Sequence, residues 1–180
     1  MKCISIILVL ASVSVGFCQE SFLRAVRNGE LAEIKKHIQD NNQLVHIRDY
    51  NGYSPLVLAV INGQVEVAKL LLSQDVDLNT QDYYGNTALM EACYRGNAAM
   101  TSFLLQNGAD INIRNNNGAT ALIYASTFNH WEVVALLMNH QADTSLVDTR
   151  GNTALDHALM QQNQEAVAIL TSFSEEYILR

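Results

Sequence analysis

The 180-residue chain predicts an all-α solenoid of helix–turn–helix units joined by β-turn or hairpin loops. Three observations carry this reading. Gly52, Gly85, Gly118 and Gly151 recur at intervals of 33 residues, as do Leu56, Leu89, Leu122 and Leu155, and as do Ala59, Ala92, Ala125 and Ala158. Self-similarity at one fixed period is the signature of stacked repeats. Around these positions run N-G-Y-S-P-L, Y-G-N-T-A-L, N-G-A-T-A-L and R-G-N-T-A-L, so three residue types hold one register over four copies. With 49% hydrophobic and 16% charged residues, the chain carries enough apolar material for a core.

Residues 1–18 read as a signal peptide. Lys2 gives a positive start, and residues 4–15 are almost wholly apolar. That stretch is too short for a bilayer-spanning helix, which needs about 20 residues. It matches a signal-peptide core followed by small residues. Cleavage after Cys18 places Gly16 and Cys18 at the two small-residue positions and leaves a polar Gln19-Glu20 start; cleavage after Gly16 is the alternative site. Two other readings are weaker. A buried first helix would show a polar stripe, and residues 4–15 have none. Lipidation at Cys18 would want a small residue where Phe17 stands. Only Cys93 remains after cleavage, so no disulfide forms within the mature chain.

Residues 19–48 form a degenerate N-terminal capping unit, with Ala25, Gly29, Leu31, Ile34 and Ile38 in the repeating roles and a charged surface. Full units follow at 49–81, 82–114 and 115–147, and a C-terminal cap occupies 148–180. Each unit opens on a turn such as Asp82-Tyr83-Tyr84-Gly85, in which Asp starts the turn and Gly takes the positive φ. Ser54, Thr87, Thr120 and Thr153 then stand where a hydroxyl caps a helix start, and Pro55 takes the first helical position. The recurrent Ala of the first helix lets neighbouring helices approach closely. Gly63, Gly96 and Asn129 end that helix. The second helix carries the apolar pairs Leu71-Leu72, Leu104-Leu105, Leu136-Leu137 and Ile169-Leu170.

From about residue 20 onward the chain resembles the ankyrin-repeat family. The family's T-P-L-H box stands as Ser54-Pro55-Leu56-Val57, Thr87-Ala88-Leu89-Met90, Thr120-Ala121-Leu122-Ile123 and Thr153-Ala154-Leu155-Asp156. Its His is missing from every copy, so the inter-repeat bond that this His supports must be absent or made otherwise. The G-A-D-x-N box is whole only at Gly108-Ala109-Asp110-Ile111-Asn112, and Asp75 and Gln141 replace its Gly elsewhere, with backbone strain expected.

The residues carry no catalytic, cofactor or metal motif. None of the five His residues pairs at the i, i+4 spacing of a helix-borne metal site. His37 reads as a packing residue and His130 as a structural cap. His157 and its neighbour Asp156 point about 100° apart on a helix and do not face each other. Cys93 shares its register with Val60, Ser126 and Leu159, an inner packing slot. The glycines are spread one per turn, not clustered as a phosphate loop requires.

The resemblance implies a non-enzymatic module that binds another protein through its turn tips and inner-helix face. On those positions stand Tyr50, Tyr53, Tyr83, Tyr84, Tyr94, Arg95, Asn117 and Phe128, and five of the seven tyrosines fall in this set. Tyr and Arg are enriched in binding hot spots. The formal charge of -7 disfavours nucleic acid and anionic membrane surfaces as partners. The mature protein is expected to be monomeric, not inserted in a membrane, and periplasmic or secreted from a bacterial cell. Small exported ankyrin proteins similar in layout accompany catalases in defence against peroxide, or act as immunity proteins against toxins. Both roles stay open as implications of the resemblance.

Overall fold

The computed structural model describes residues 16–178. Helix α1 covers residues 16–28. After it come α2 (Leu31–Asp40), a 3₁₀ turn (Asn42–His46), α3 (Pro55–Ile61), α4 (Val65–Leu72), α5 (Ala88–Tyr94), α6 (Ala98–Gln106), α7 (Ala121–Thr127), α8 (Trp131–Asn139), α9 (Ala154–Met160) and α10 (Gln164–Ile178). No strand occurs among the described residues, in line with the all-α expectation. Most of the expected leader, residues 1–15, lies outside the described residues, and residues 16–18 form the first turn of α1. No described helix is long and apolar enough to cross a membrane.

Chain contacts divide the protein between Val76 and Asp77 into two compact units. In the first, Phe22, Val26, Ile34, Leu44, Leu56 and Leu71 fill the core under α1 to α4. Gly29 takes φ +76° at the turn from α1 to α2, where the degenerate repeat called for a glycine. His37 packs its ring edge-on against Phe22 at 5.9 Å, the packing role expected of it.

In the second unit, the inner helices α5, α7 and α9 lie against one another in sequence, and so do the outer helices α6, α8 and α10. Ala92, Ala125 and Ala158 are fully buried between the inner helices, where the absence of a larger side chain permits the approach. Leu89 and Leu122 are buried, whereas Leu155 is only half-buried, as befits a terminal repeat. Each inner helix has seven residues, far below the roughly 12–15 needed for a helix to persist alone. Stacking therefore holds these helices, and caps set where they start. Thr87, Thr120 and Thr153 accept from the backbone N–H groups of Met90, Ile123 and Asp156 at 3.3, 3.3 and 3.2 Å.

The position of the missing box His is filled in two ways. Val57, Met90 and Ile123 are buried core residues. Asp156 instead accepts from the Thr153 N–H at 2.8 Å and completes a capping box. Bonds between repeats of the second unit run through the loops. The N–H of Asp110 donates to Asn79 Oδ1 and that of Asp143 to Asn112 Oδ1, both at 2.9 Å. Arg114 donates to the Val147 carbonyl at 2.6 Å.

His130 corrects the expectation in detail. It sits at the start of α8 but makes no side-chain bond to that helix. Its ring lies over Gly96 of the preceding repeat and donates from Nε2 to the Tyr94 carbonyl at 3.0 Å. The cap it supplies is to the end of α5. The left-handed positions also extend beyond glycine: Asp75, Asn129, Gln141 and Gln162 have φ between 57° and 63°.

Two outcomes follow. Leu122→Ala removes a fully enclosed side chain and should lower stability by roughly 2–5 kcal/mol, whereas Gln141→Gly relieves a left-handed residue and should raise it by about 1 kcal/mol; urea titrations read both. Cys93 is fully buried on α5 beside Thr101, and burial pushes its thiol up to about 12. Folded protein should therefore leave Cys93 unlabelled by a thiol reagent at pH 8, with labelling appearing only on denaturation.

Candidate functional site

The turn that opens each repeat is built around one side chain. Asp82 Oδ1 accepts from the N–H groups of Tyr84 and Asn86, both at 2.8 Å. Asn115 and Asp148 do the same two and four residues ahead in their own turns, and Asp49 does so in the first unit. A second constraint holds the third repeat's turn. Gly85 has φ +81°, and a Cβ there would stand 2.7 Å from the Asn116 backbone nitrogen. Through that approach Asn116 donates its N–H to the Tyr84 carbonyl and its amide to the Tyr83 carbonyl, each at 3.0 Å. The Tyr83 and Tyr84 backbones are thus pinned while their side chains stay outside, 64% and 63% exposed. Asn117 is exposed at the next tip, and its carbonyl accepts from Thr149 at 2.9 Å.

The inner-helix face of this unit carries a packed aromatic group. Tyr94 meets Phe128 edge-to-face at 4.5 Å and Tyr124 at 6.0 Å, while Tyr124 and Phe128 lie nearly parallel at 6.2 Å. Tyr94 and Phe128 are still 41% and 43% exposed, so the cluster is only half covered by the chain itself. The guanidinium of exposed Arg95 lies 6.0 Å from the Tyr94 ring centre. Three of the expected residues, Tyr94, Arg95 and Phe128, therefore meet in one place. Tyr50 and Tyr53 belong to the first unit, where Tyr50 is exposed and Tyr53 half-buried.

Tyr124 was not anticipated, though it joins the cluster to the turns. Its hydroxyl donates to Asn86 Oδ1 and accepts from the Asn115 amide, both at 3.1 Å. The Asn115 amide also donates to Asn86 Oδ1 at 2.8 Å. Asn86 lies in the Tyr83-Tyr84 turn, so the ring and the tip are mechanically linked. Burial raises the Tyr124 phenol's pKa, aided by the Glu91 charge and opposed by these hydrogen bonds. Trp131, also not anticipated, is exposed at the start of α8.

The third repeat also holds two buried acids. Glu91 is buried on α5, and Asp82 is buried in the turn. Desolvation raises the Glu91 pKa; Arg95 works against it, Asp82 adds to it, and the Asn86 amide works against it. His157, weighed from sequence only against Asp156, instead donates from Nε2 to Asp148 Oδ2 at 2.9 Å. Burial works against the Asp148 charge, yet the N–H of Asn152, the His157 ring and the N–H of Arg150 hold it down to about 2. No group of three or more His, Cys, Asp or Glu side chains among the described residues is arranged to hold a metal ion.

A family model for ankyrin repeats in three copies matches residues 22–115 and 101–178. No curated protein matches the chain. The capped seven-residue inner helices, the recurrent buried alanines and the two family-model matches agree along nearly the whole described chain, and this protein belongs to the ankyrin-repeat family, whose members generally serve as non-enzymatic modules for binding other proteins.

Proposed function

We propose that this protein is an exported, non-enzymatic binding module that engages another protein through its turn tips and inner-helix face. Within the second unit the centre of the contact is Tyr83, Tyr84, Tyr94, Arg95 and Phe128, with Asn117 on the next tip; Tyr50 and Tyr53 are the corresponding tip residues of the first unit, taken by itself. One observation carries this reading. Large aromatic rings stay substantially exposed on backbone that is fixed by Asn116 and by the Asn86–Asn115–Tyr124 bonds. Rings held in place before contact lose little conformational freedom on binding, and that is where affinity in such interfaces comes from. Export rests on the positive start, the apolar residues 4–15 and the small residues before Gln19. Loss of Lys2 with the leader leaves ten basic and eighteen acidic residues, a mature charge of -8.

The test is an affinity capture from the extracytoplasmic fraction of the producing cells. The protein as those cells process it is one bait, and a Tyr83→Ala/Tyr84→Ala variant of matched helicity is the other. One protein retained by the first bait and lost by the second is expected, with a drop in affinity of at least tenfold. Equal capture by both baits would place the partner on another face. Intact mass of the same preparation reads the processing: a chain beginning at Gln19 supports export by cleavage, and a lipid adduct at Cys18 replaces it.

A further inference from the structure

The turn-closing Asp or Asn side chains repeat with the fold, and their partners do not. Register places residues 82, 115 and 148 at equivalent turn positions, and residues 91, 124 and 157 at equivalent inner-helix positions nine residues on. In two repeats of the second unit this pair joins a donor to an acceptor. The Asn115 amide donates to the Tyr124 hydroxyl at 3.1 Å. The His157 ring donates to Asp148 Oδ2 at 2.9 Å. In the first unit, Asp49 holds the corresponding turn position, and its Oδ2 receives the guanidinium of Arg27 at 3.3 Å. The third repeat breaks the series. Its pair is two acids, Asp82 and Glu91. Asp82 is 7% exposed and its Oδ2 is buried without a hydrogen-bond partner. Glu91 is 8% exposed, accepts only a long hydrogen bond from the Asn86 amide, at 3.5 Å, and forms no ion pair among the described residues.

Two adjoining acids in a poorly solvated place repel each other, so the site favours an added positive charge. The chain's own turns show which groups satisfy such an acid: an arginine at Asp49 and a histidine at Asp148. The walls suit a cation too. Tyr94 stands three residues after Glu91 on α5 and packs against Phe128, both rings half-exposed, and aromatic faces attract guanidinium and ammonium groups. Arg95 lies at the edge of that range, 6.0 Å from the Tyr94 ring centre, without reaching Glu91 as an ion pair.

We infer that Asp82 and Glu91, walled by Tyr94, Tyr124 and Phe128, form the seat for an arginine side chain of the protein partner. The inference rests on the binding reading above and narrows it to a partner that presents a basic segment. The overall charge of -7 draws such a segment in. The partner's guanidinium lies across the Tyr94 and Phe128 rings and donates to the Glu91 carboxylate, supplying at this turn a basic partner such as Asp49 and Asp148 find within the chain.

The experiment titrates the intact protein with a Gly/Ser-rich nonapeptide holding three arginines, and with its glutamine-for-arginine twin. Calorimetry at pH 8 and low salt is the readout, with wild type, Glu91→Gln and Tyr83→Ala/Tyr84→Ala compared. The arginine peptide should bind wild type, and the neutral twin should bind at least tenfold more weakly. Glu91→Gln should lose at least tenfold in affinity for the arginine peptide while melting at a higher temperature, because its amide can donate where the second acid stood. A loss of binding with this gain in stability is not what a damaged fold would give. Equal affinity of wild type and Glu91→Gln, equal affinity for both peptides, or no binding of the arginine peptide would each overturn the arginine seat. The two readings separate in the capture experiment. A natural partner kept by Glu91→Gln but lost by Tyr83→Ala/Tyr84→Ala leaves the aromatic binding surface standing and removes the arginine seat.

Discussion

Each repeat depends on a single oxygen. The Oδ1 atom at positions 49, 82, 115 and 148 accepts two backbone N–H groups, from the residues two and four ahead, and so sets the course of the turn before the inner helix begins. Backbone N–H groups in a tight turn need an acceptor, and this one oxygen serves two of them. With that atom committed, the side chain's second terminal atom points into the protein, where it must also be satisfied. An aspartate there is a buried charge and an asparagine a buried donor. The choice of partner for this second atom separates one repeat from the next.

Turn geometry then passes into packing. The turn leads to a hydroxyl cap, and the cap starts an inner helix of seven residues that could not persist alone. Close approach at Ala92, Ala125 and Ala158 lets each short helix bury its side against its neighbour. Stability is therefore carried between repeats and not within them. The same division explains why the missing box His is tolerated. Val57, Met90 and Ile123 add buried apolar surface at its position, and the loop bonds from Asn79, Asn112 and Arg114 link consecutive repeats of the second unit by another route.

The repeat scaffold was legible because its parts are local and recur. The register of Gly85, Leu89 and Ala92, the cap at Thr87 and the left-handed Asn129 each follow from a residue type in a known backbone state. The pairings were not legible, because they join residues nine or more apart whose meeting depends on how the turn folds back over the helix. His157 was weighed against its neighbour Asp156, yet its partner is Asp148. Tyr124 was passed over because a tyrosine in mid-helix carries no local signal, though it ties Asn86 to Asn115. His130 was correctly read as structural, but its bond crosses to the preceding repeat. One available signal was overlooked: aligning positions 82, 115 and 148 with 91, 124 and 157 sets Asp opposite Glu, Asn opposite Tyr and Asp opposite His.

That alignment also separates scaffold from specificity. A sequence selected only for stability would match a donor with an acceptor at each of these pairs, as the fourth and fifth repeats do. Local rules are broken in folded proteins mainly where another demand overrides them. Here the break falls at Asp82 and Glu91, in the repeat whose inner helix carries Tyr94 of the aromatic cluster and whose tip carries Tyr83 and Tyr84. A ligand that is both positive and able to lie flat on aromatic rings meets the acids and the rings at once, and an arginine side chain combines those properties.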